Sequence, residues 1–562
     1  MAPPTPASHR PRKKRRTLSG AGLNTDLVVS KGQDIYAPAF PLVSFFWPAR
    51  SGVSQWLILP VVLMIVGLFR WGTSLWGHSG YGVPPMHGDF EAQRHWMELT
   101  IHLPTSWWYF YDLQYWGLDY PPLTAYHSWL LGKIGQLVDP AWFALDQSRG
   151  LEGPLLRVYM RATVVVSEYL IYIPAVVIFL RRYAREQGVG PWPGSIALCA
   201  VLMQPSTILI DHGHFQYNTV MLGFIVASLE SICVCISLGI CFSPRIRPNR
   251  LLSIALITIV AFAINKASWL YQVMVQLTQS IHRIFPFARG LFEDKVANVW
   301  CAIHTFYKLN KFDPSILKLA ALGATLATIL PSCLIIGRYP RTHLLPYALA
   351  STGWGFFLCS FQVHEKSVLL PLLPMTLLLG SAGGLSKEIR AWVGLANMLG
   401  VWTMFPLLKR DELRIPYTVL TLLWAYLLGL PPMSLDLYWS RGAAENSLEL
   451  FSTTKLLHVS YYAAMLIWHV LESTITPPPT KPDLWVVLNA LIGASGFGVI
   501  YLWCNWKLIQ AVIFEPHQPA LNPKRNRAVS EKVPLEEFME QKMTKGPTNS
   551  KDKSKDQQAP SS

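Results

Sequence analysis

HGDFEAQRHWME, residues 87–98, follows the first long apolar segment of a chain in which only 14% of the residues are charged. The stretch holds four charged residues and two histidines in twelve positions. Aromatic residues follow closely, in WWY at 107–109 and in YWGLDYPP at 115–122. A solvated loop would explain such a run, and so would an active site at the face of a membrane.

The composition predicts an all-α polytopic membrane protein. The chain has 562 residues, 51% of them hydrophobic, and its long apolar runs recur almost to the C-terminus. A soluble protein of this length divides into several domains whose elements alternate apolar and polar faces. Long runs with few charges are instead typical of helices that cross a bilayer. We therefore expect one integral membrane domain over residues 51–508, with polar tails at 1–50 and 509–562.

Apolar windows with the length of a bilayer-crossing helix, about 20 residues, locate the expected spans. They indicate about 11–14 transmembrane helices. The windows lie near 54–70, 157–180, 192–210, 217–242, 251–270, 315–336, 343–361, 367–385, 391–408, 416–432, 453–471 and 483–506.

The net charge of +15 indicates contact with membrane lipids rather than with nucleic acid. Basic residues collect in the tail at 10–16, in the tail at 524–555 and in short loops between apolar runs. Cytoplasmic loops of membrane proteins carry such an excess of Lys and Arg, with anionic lipids as the counter-charge. Both tails are therefore predicted to be cytoplasmic.

The same rule orients the loops. If the N-terminal tail is cytoplasmic, the basic loops at 181–185, 244–250, 338–341 and 387–390 all fall on the cytoplasmic side. This holds only if the segment 121–138 does not cross the membrane. Its two leading prolines and its aromatic and polar residues indicate a helix that lies in the interface. Residues 72–156 then form a large first loop on the opposite face.

Three further polar clusters fall on the same face as this loop, at 211–218, 283–295 and 361–366. Each also has a simpler explanation: a polar hairpin, a solvated interfacial helix, and snorkelling side chains at a helix end. Charges, histidines and amides gathered at one membrane face are costly unless water or a substrate meets them. Their convergence indicates a functional site.

The residue types on this face suit glycosyl transfer from a lipid phosphate. A carboxylate such as Asp89 can act as a general base toward a hydroxyl, and Arg, Lys or His can bind the phosphate of the leaving group. Aromatic residues such as Trp96 and Trp116 suit sugar faces or lipid headgroups. The eight cysteines lie mostly in apolar runs, and no third ligand accompanies His212 and His214, so no metal site is expected.

Five stretches resemble a known family. They are GDFEAQRHWME at 88–98, YWGLDYPPLTAYHS at 115–128, IDHGHFQY at 210–217, FPFARGLFEDKVAN at 285–298 and SFQVHEK at 360–366. In this order they resemble the eukaryotic dolichyl-phosphate-glucose glucosyltransferases of asparagine-linked glycosylation, over residues 50–505. The resemblance is strongest to the members that add the first glucose, in α-1,3 linkage, to the nine-mannose lipid-linked oligosaccharide.

The resemblance implies a GT-C fold in the endoplasmic reticulum membrane, with the active site facing the lumen. It implies that Asp89, in the Gly-Asp-aromatic motif, is the catalytic base of an inverting transfer from dolichyl phosphate glucose to a dolichyl-diphosphate-linked oligosaccharide. No cofactor, metal ion or nucleotide sugar is then needed. Two other functions stay open: that of the sister enzymes that add the second glucose, and that of a polytopic transporter or scaffold.

Further residues are predicted to surround Asp89. The cations expected to stabilise the departing phosphate are Arg289, Lys295, His364 and Lys366. The acids expected to hold sugar hydroxyls or to orient those cations are Glu91, Asp119 and Glu365. The remaining candidates for substrate binding are Arg94, His95, Tyr120, His212, His214 and Gln216.

Overall fold

The computed structural model describes residues 40–50, 55–237, 256, 270–284, 295–439 and 452–514. Outside these residues lie the basic clusters of both tails, the loop at 244–250, nearly all of the predicted span at 251–270, and Arg289. By contacts between residues, the chain divides into a unit of residues 1–509 and a unit of residues 510–562. The described part of the second unit, residues 510–514, is the end of the last helix.

The described residues form helices, turns and loops, with no strand among them. A π-helical turn at Glu168–Tyr172 interrupts the long helix Pro154–Glu186, and a break at Met203 and Gln204 interrupts the helix Pro191–Phe215. The helices are α1 (Pro41–Phe46), α2 (Gln55–Ser74), α3 (Gly88–His102), α4 (Pro122–Val138), α5 (Pro154–Glu186), α6 (Pro191–Phe215), α7 (Asn218–Ser237), α8 (Leu270–Ile284), α9 (Val299–Phe306), α10 (Pro314–Arg338), α11 (Leu345–Cys359), α12 (Leu369–Leu377), α13 (Lys387–Thr403), α14 (Phe405–Arg410), α15 (Arg414–Leu428), α16 (Ser452–Thr474) and α17 (Leu484–Phe514).

Five helices in the described part of the chain are long and apolar enough to cross a membrane: α2, α5, α6, α10 and α17. Each coincides with a predicted span. Leu319, Leu322, Leu326 and Leu330 on α10 are all more than half exposed, as expected of a helix that faces lipid. The prediction of an all-helical polytopic membrane protein is confirmed.

Two predicted spans differ in detail from the helices of the structure. The segment 367–385 is helical up to Gly380, because a 3-10 turn at Glu365–Val368 leads into α12 and another at Leu378–Gly380 follows it. The helix predicted at 192–210 continues past residue 210, because α6 ends as a π-helix over Leu209–Phe215. The cluster at 211–218 is therefore mainly a buried helix end, and only Gln216 and Tyr217 separate α6 from α7 there.

The first loop folds around α3 and α4. Every residue of α3 from Phe90 to Thr100 is buried, although this is the polar run that opens the loop. α4 covers the segment expected to lie in the interface and begins at Pro122. Gly132 of α4 approaches α3 so closely that a Cβ there would lie 2.9 Å from the carbonyl oxygen of Met97. Close packing against α4 thus holds α3, and with it Asp89, in place.

A charged network joins three of the membrane-crossing helices. Arg70 of α2 donates to both carboxylate oxygens of Glu168 in α5, at 2.8 and 2.7 Å. His212 Nε2 at the end of α6 lies 2.6 Å from Glu168 Oε2, and all three side chains are fully buried. The predicted site residue His212 therefore belongs to this network. Because an unpaired buried charge costs several kcal/mol, each member depends on the others.

We predict that Arg70→Met lowers the stability of the solubilised protein. The substitution leaves the Glu168 carboxylate buried without its strongest partner, which costs about 3–5 kcal/mol for buried pairs. The matched control is Arg182→Met, which breaks the partly exposed pair of Arg182 and Glu186 and should cost less than about 1 kcal/mol. Unfolding curves in one detergent measure both variants. Equal midpoints for the two would contradict a structural role of the Arg70 pair.

Candidate active site

Four of the predicted site residues meet at one carboxylate oxygen. The Oδ2 atom of Asp89 accepts hydrogen bonds from His214 Nε2 at 2.7 Å and from Gln216 Nε2 at 2.8 Å. The same oxygen bonds the ammonium of Lys366. The donors come from the end of α6, from the residue that follows it, and from a 3-10 turn at Glu365–Val368. The fold thus brings together residues up to 277 positions apart.

The two oxygens of the Asp89 carboxylate differ in their surroundings. All three donors bind Oδ2, and among the described residues no donor bonds Oδ1. The Asp89 side chain is 23% exposed, whereas that of His214 is 1% exposed. Oδ1 therefore keeps its lone pairs for a molecule that binds on the open side.

The pKa of Asp89 reflects these neighbours. Burial opposes ionisation of the carboxyl, but the Lys366 ammonium and the hydrogen bond from His214 outweigh burial and hold the pKa of Asp89 well below its usual range. The carboxylate is therefore ionised at physiological pH. Burial, followed by the nearby charge of Asp89, raises the pKa of the Tyr120 hydroxyl, which places this predicted site residue close to Asp89.

The backbone of Asp89 is held by Ser79. The N–H of Asp89 donates to Ser79 Oγ at 3.2 Å, and the N–H of Ser79 donates to the carbonyl oxygen of His214 at 3.0 Å. Ser79 therefore connects two residues that face each other in the site. The sequence does not indicate this role, because the segment 77–86 carries no carboxylate, lysine or arginine and lies outside the five motifs.

Two glycines permit the close approach of these backbones. Gly80 and Gly88 both have left-handed conformations, with φ of 73° and 64°. A Cβ on Gly80 would lie 2.1 Å from the carbonyl carbon of His87, and a Cβ on Gly88 would lie 2.7 Å from the nitrogen of Gly80. Only glycine fits at both positions.

The π-helical end of α6 orients His214. Arg161 of α5 donates to the carbonyl oxygens of His212 at 2.5 Å and of Gly213 at 2.9 Å. Phe215 then adopts φ of 85°, a left-handed conformation that costs about 1–3 kcal/mol for a residue with a side chain. The resulting bend lets His214 and Gln216, on either side of Phe215, reach the same oxygen of Asp89.

Lys366 is presented by the 3-10 turn that follows His364. The Nδ1 atom of His364 caps this turn by accepting the backbone N–H of Lys366 at 3.4 Å. The His364 side chain is 42% exposed and lies 3.5 Å from Glu365. Lys366 itself is 12% exposed, and its Nζ lies 3.3 Å from His214 Nε2. Of the two, His364 is the more open to a ligand.

Asp411 is absent from the predicted site residues, yet it contacts the site. It follows α14, and its Oδ2 bonds Nδ1 of His214. Its side chain is 2% exposed. In the sequence, Asp411 stands in the charged run KRDE at the end of a predicted span. Such runs are typical of snorkelling side chains, so no sequence signal marks one member as part of a site.

Glu91, Arg94 and His95 lie in the interior of the first loop. Arg94 donates to both oxygens of Glu91, at 2.7 and 2.6 Å, and to Ser148 Oγ at 2.6 Å. His95 Nδ1 lies 3.4 Å from the carboxylate of Glu98. The side chains of Glu91, Arg94, His95 and Glu98 are each at most 2% exposed, and Ser148 is 4% exposed. The geometry favours a structural role for the three predicted residues over a role in substrate binding.

Asp119 and Lys295 are two further predicted residues. Asp119 directly precedes Tyr120. Burial contributes most to raising the pKa of Tyr120, and the charges of Asp89 and then of Asp119 raise it further. Lys295 forms an ion pair with Asp483 in which both side chains are well exposed. Roles for these residues in substrate binding stay predictions, as does the role of Arg289, which lies outside the described residues.

An apolar cavity of about 380 Å³ lies beside the turn that carries Lys366. This volume is in the range of sites that bind small molecules. Its polar lining residues are Thr352, Ser360, Gln362 and Ser367. Its remaining walls come from α7, α11, α12 and the loop that follows α11, with Ile225, Leu229, Leu349, Gly353, Phe356, Phe357, Val363, Leu370 and Pro374.

A carboxylate with one oxygen held by three donors and the other open is arranged for proton transfer. Among the described residues, no group of three or more His, Cys, Asp and Glu side chains is placed to hold a metal ion, and a reaction without metal stays a prediction. In a helical membrane protein, beside an apolar cavity, such a site defines a membrane-embedded enzyme.

The sequence is similar to known glycosyltransferases. A model of the ALG6, ALG8 glycosyltransferase family matches residues 62–243 and 234–506. The dolichyl pyrophosphate Man9GlcNAc2 alpha-1,3-glucosyltransferase of Saccharomyces cerevisiae is 41% identical over 530 residues, covering 86% of this chain and 97% of that enzyme. The enzyme of the same name from Gallus gallus is 34% identical over 511 residues, with 80% and 98% covered. This chain belongs to the ALG6, ALG8 glycosyltransferase family, and the expected family resemblance is confirmed.

We predict that Gly80→Ala and Gly88→Ala each destabilise the protein, because the added Cβ would displace the backbone that carries Asp89. Overpacking of this kind typically costs about 1–3 kcal/mol, in addition to the strain of the left-handed conformation. Gly82→Ala is the matched control, since Gly82 has φ of 67° but no atom within 4 Å of an added Cβ. The unfolding midpoints of the three variants measure these losses of stability. A loss at Gly82 as large as at the other two would show that strain, rather than close approach, sets the cost.

Proposed function

We propose that this protein transfers the first glucose onto a lipid-linked oligosaccharide. The donor is dolichyl phosphate glucose, the acceptor is the dolichyl-diphosphate oligosaccharide with nine mannoses, and the new bond is an α-1,3 linkage. The acceptor and the linkage are supported by the names of relatives that this chain matches over at least 95% of their length. The structural observation that carries the proposal is the open Oδ1 of Asp89 beside Lys366.

Asp89 acts as the general base. Its Oδ1 accepts the proton of the 3-hydroxyl of the terminal mannose while that oxygen attacks the anomeric carbon of glucose. The bond between the anomeric carbon and the phosphate oxygen breaks, and dolichyl phosphate leaves on the opposite face with the bonding electrons. A single in-line displacement converts the β-linked glucosyl phosphate into an α-glucoside, so the configuration inverts.

Lys366 stabilises the leaving phosphate while it holds Asp89. An ammonium group has three N–H donors, so the bond to Asp89 leaves donors for a phosphate oxygen. These bonds strengthen in the transition state because negative charge develops on the leaving group. His364, partly exposed on the same turn, supplies a second group for the phosphate.

The apolar cavity is suited to the dolichyl chain of the donor. Its walls on α7, α11 and α12 are mostly aliphatic and aromatic, and burial of a polyprenyl chain there contributes roughly 25 cal/mol per Å². Ser367, which lines it, directly follows Lys366 in the sequence, and Gln362, which also lines it, lies four residues before Lys366. A chain in this cavity therefore directs its phosphate toward Lys366.

We propose that the site faces the lumen of the endoplasmic reticulum, and the order of charges along two helices supports its position on the non-cytoplasmic face of the membrane. α5 carries Arg161, which orients the site, near its start and the basic cluster at 181–185 at its end. α6 begins after that cluster and ends at the site. Since basic loops stay in the cytoplasm, both helices place the site on the opposite face.

Asp89→Asn tests the proposed base. With purified protein, dolichyl phosphate glucose and the nine-mannose acceptor, we expect the rate of glucose transfer to fall by about 10²–10⁴-fold, the usual contribution of a general base. Asp112→Asn, which removes a partly exposed carboxylate of the same loop, should transfer at the normal rate. Near-normal transfer by Asp89→Asn would remove Asp89 from this role. An acceptor that already carries one glucose, used in parallel, separates this activity from that of the sister enzymes.

Lys366→Met tests the electrostatic effect on Asp89. Since the Lys366 ammonium lowers the pKa of Asp89, its removal raises that pKa. The acid limb of kcat/KM, which reports the base of the free enzyme, should therefore move to higher pH, in addition to any loss of phosphate binding. Lys311→Met, at an exposed lysine, should leave the limb in place. An unchanged limb in Lys366→Met would show that Lys366 does not set the basicity of Asp89.

A further inference from the structure

His214 lies between two carboxylates. Its Nε2 is 2.7 Å from Asp89 Oδ2, and its Nδ1 bonds Asp411 Oδ2. A neutral imidazole carries a proton on only one ring nitrogen, whereas an imidazolium donates from both. Because each nitrogen faces a carboxylate oxygen, the doubly protonated ring satisfies the arrangement completely.

The charges around His214 alternate in sign. The connected row of groups is negative at Asp411, positive at His214, negative at Asp89 and positive at Lys366. The row as a whole is neutral. Lys366 Nζ is only 3.3 Å from His214 Nε2, so two positively charged groups lie next to each other in a largely buried region. Without Asp411 the same row would carry a net positive charge, which is costly away from water.

The turn that carries Asp411 packs against Gly77 and against Gly213, the residue before His214. A Cβ on Gly77 would lie 2.8 Å from the carbonyl oxygen of Asp411, and a Cβ on Gly213 would lie 2.9 Å from Leu413 Cδ1. Glu412 between them has φ of 61°, so the turn is tight. The carboxylate of Asp411 therefore has a defined position relative to the His214 ring.

Other charged groups reach the surroundings of His214 from neighbouring elements. Arg161 of α5 donates to the backbone carbonyls next to His214 and interacts electrostatically with Asp411. His78, on the segment before α3, stays neutral because burial and then Arg161 lower its pKa to about 3. Arg161 adds positive charge and His78 adds none, so the negative charge of Asp411 is needed to keep a proton on both nitrogens of His214.

We propose that Asp411 is a positioning residue of this enzyme: it keeps His214 doubly protonated, so that His214 and Lys366 together hold Asp89 Oδ2 and direct Oδ1 toward the acceptor hydroxyl. The proposal rests on the general-base role of Asp89 proposed above. If Asp411 is neutral, the single proton of the ring can stay on Nδ1. The lone pair of Nε2 then faces Asp89 Oδ2 and repels it.

Asp411→Asn tests this role in the full-length protein. We expect kcat for glucose transfer to fall by about 10²-fold or more, since neutralising the Asp of a Ser-His-Asp triad has a comparable or larger effect. KM for both substrates should stay within about twofold, because Asp411 touches neither, and a factor of two is under 0.5 kcal/mol. The acid limb of kcat/KM should move to higher pH, because a neutral His214 contributes less to lowering the pKa of Asp89.

Two further variants separate positioning from stability. Asp411→Glu keeps the charge and should recover most of kcat and the position of the acid limb. Glu412→Gln removes an exposed carboxylate one residue away and should behave as the unchanged protein. Normal kcat with an unmoved acid limb in Asp411→Asn would overturn the proposal. A lowered unfolding midpoint with both KM values raised, and no recovery by glutamate, would overturn it in favour of a purely structural role.

Infrared spectroscopy gives a readout that needs no substrate. With ring-labelled histidine, the difference between the unchanged protein and His214→Gln isolates the bands of His214. We expect imidazolium bands in the unchanged protein and imidazole bands in Asp411→Asn at neutral pH. The same protonation state in both would overturn the proposal. If the unchanged protein transfers no glucose, the function proposed above is rejected, and the infrared result still decides the state of His214.

Discussion

A largely buried carboxylate needs hydrogen-bond donors and positive charge nearby, and this requirement at Asp89 connects distant parts of the chain. Its Oδ2 atom takes donors from the end of α6 and from the turn after α11. The π-helical end of α6, the left-handed Phe215 and the close contact of Gly80 with Gly88 all keep those donors at hydrogen-bond distance. Saturating one oxygen leaves the other as the only available proton acceptor of this carboxylate.

Much of the fold could be predicted from hydropathy, because crossing a bilayer demands about 20 apolar residues in a row. α2, α5, α6, α10 and α17 follow this rule and lie where the windows place them. At 367–385 the helix is less regular than the window suggests, with 3-10 turns on both sides of α12. The window at 192–210 ends before α6 does, because polar residues continue that helix where protein partners such as Glu168, rather than water, satisfy them.

The candidate site could be predicted in part. Asp89, His214, Gln216 and Lys366 belong to motifs of the family, and the structure brings them together. The polar run at 87–98 does not reveal that only its first acid is open, because Glu91 and Arg94 bind each other inside the loop. Asp411 could not be found, since its partner is 197 residues away and no local pattern links the two.

The separation of 277 residues between Asp89 and Lys366 also orders events during synthesis. At about 5–20 residues per second, the ribosome needs roughly 14–55 s to reach Lys366 after Asp89. Throughout that interval the acid is present while its ammonium partner does not yet exist. A nascent chain that stops earlier, even with its first helices inserted, therefore holds an incomplete centre, and catalytic competence arrives late in translation.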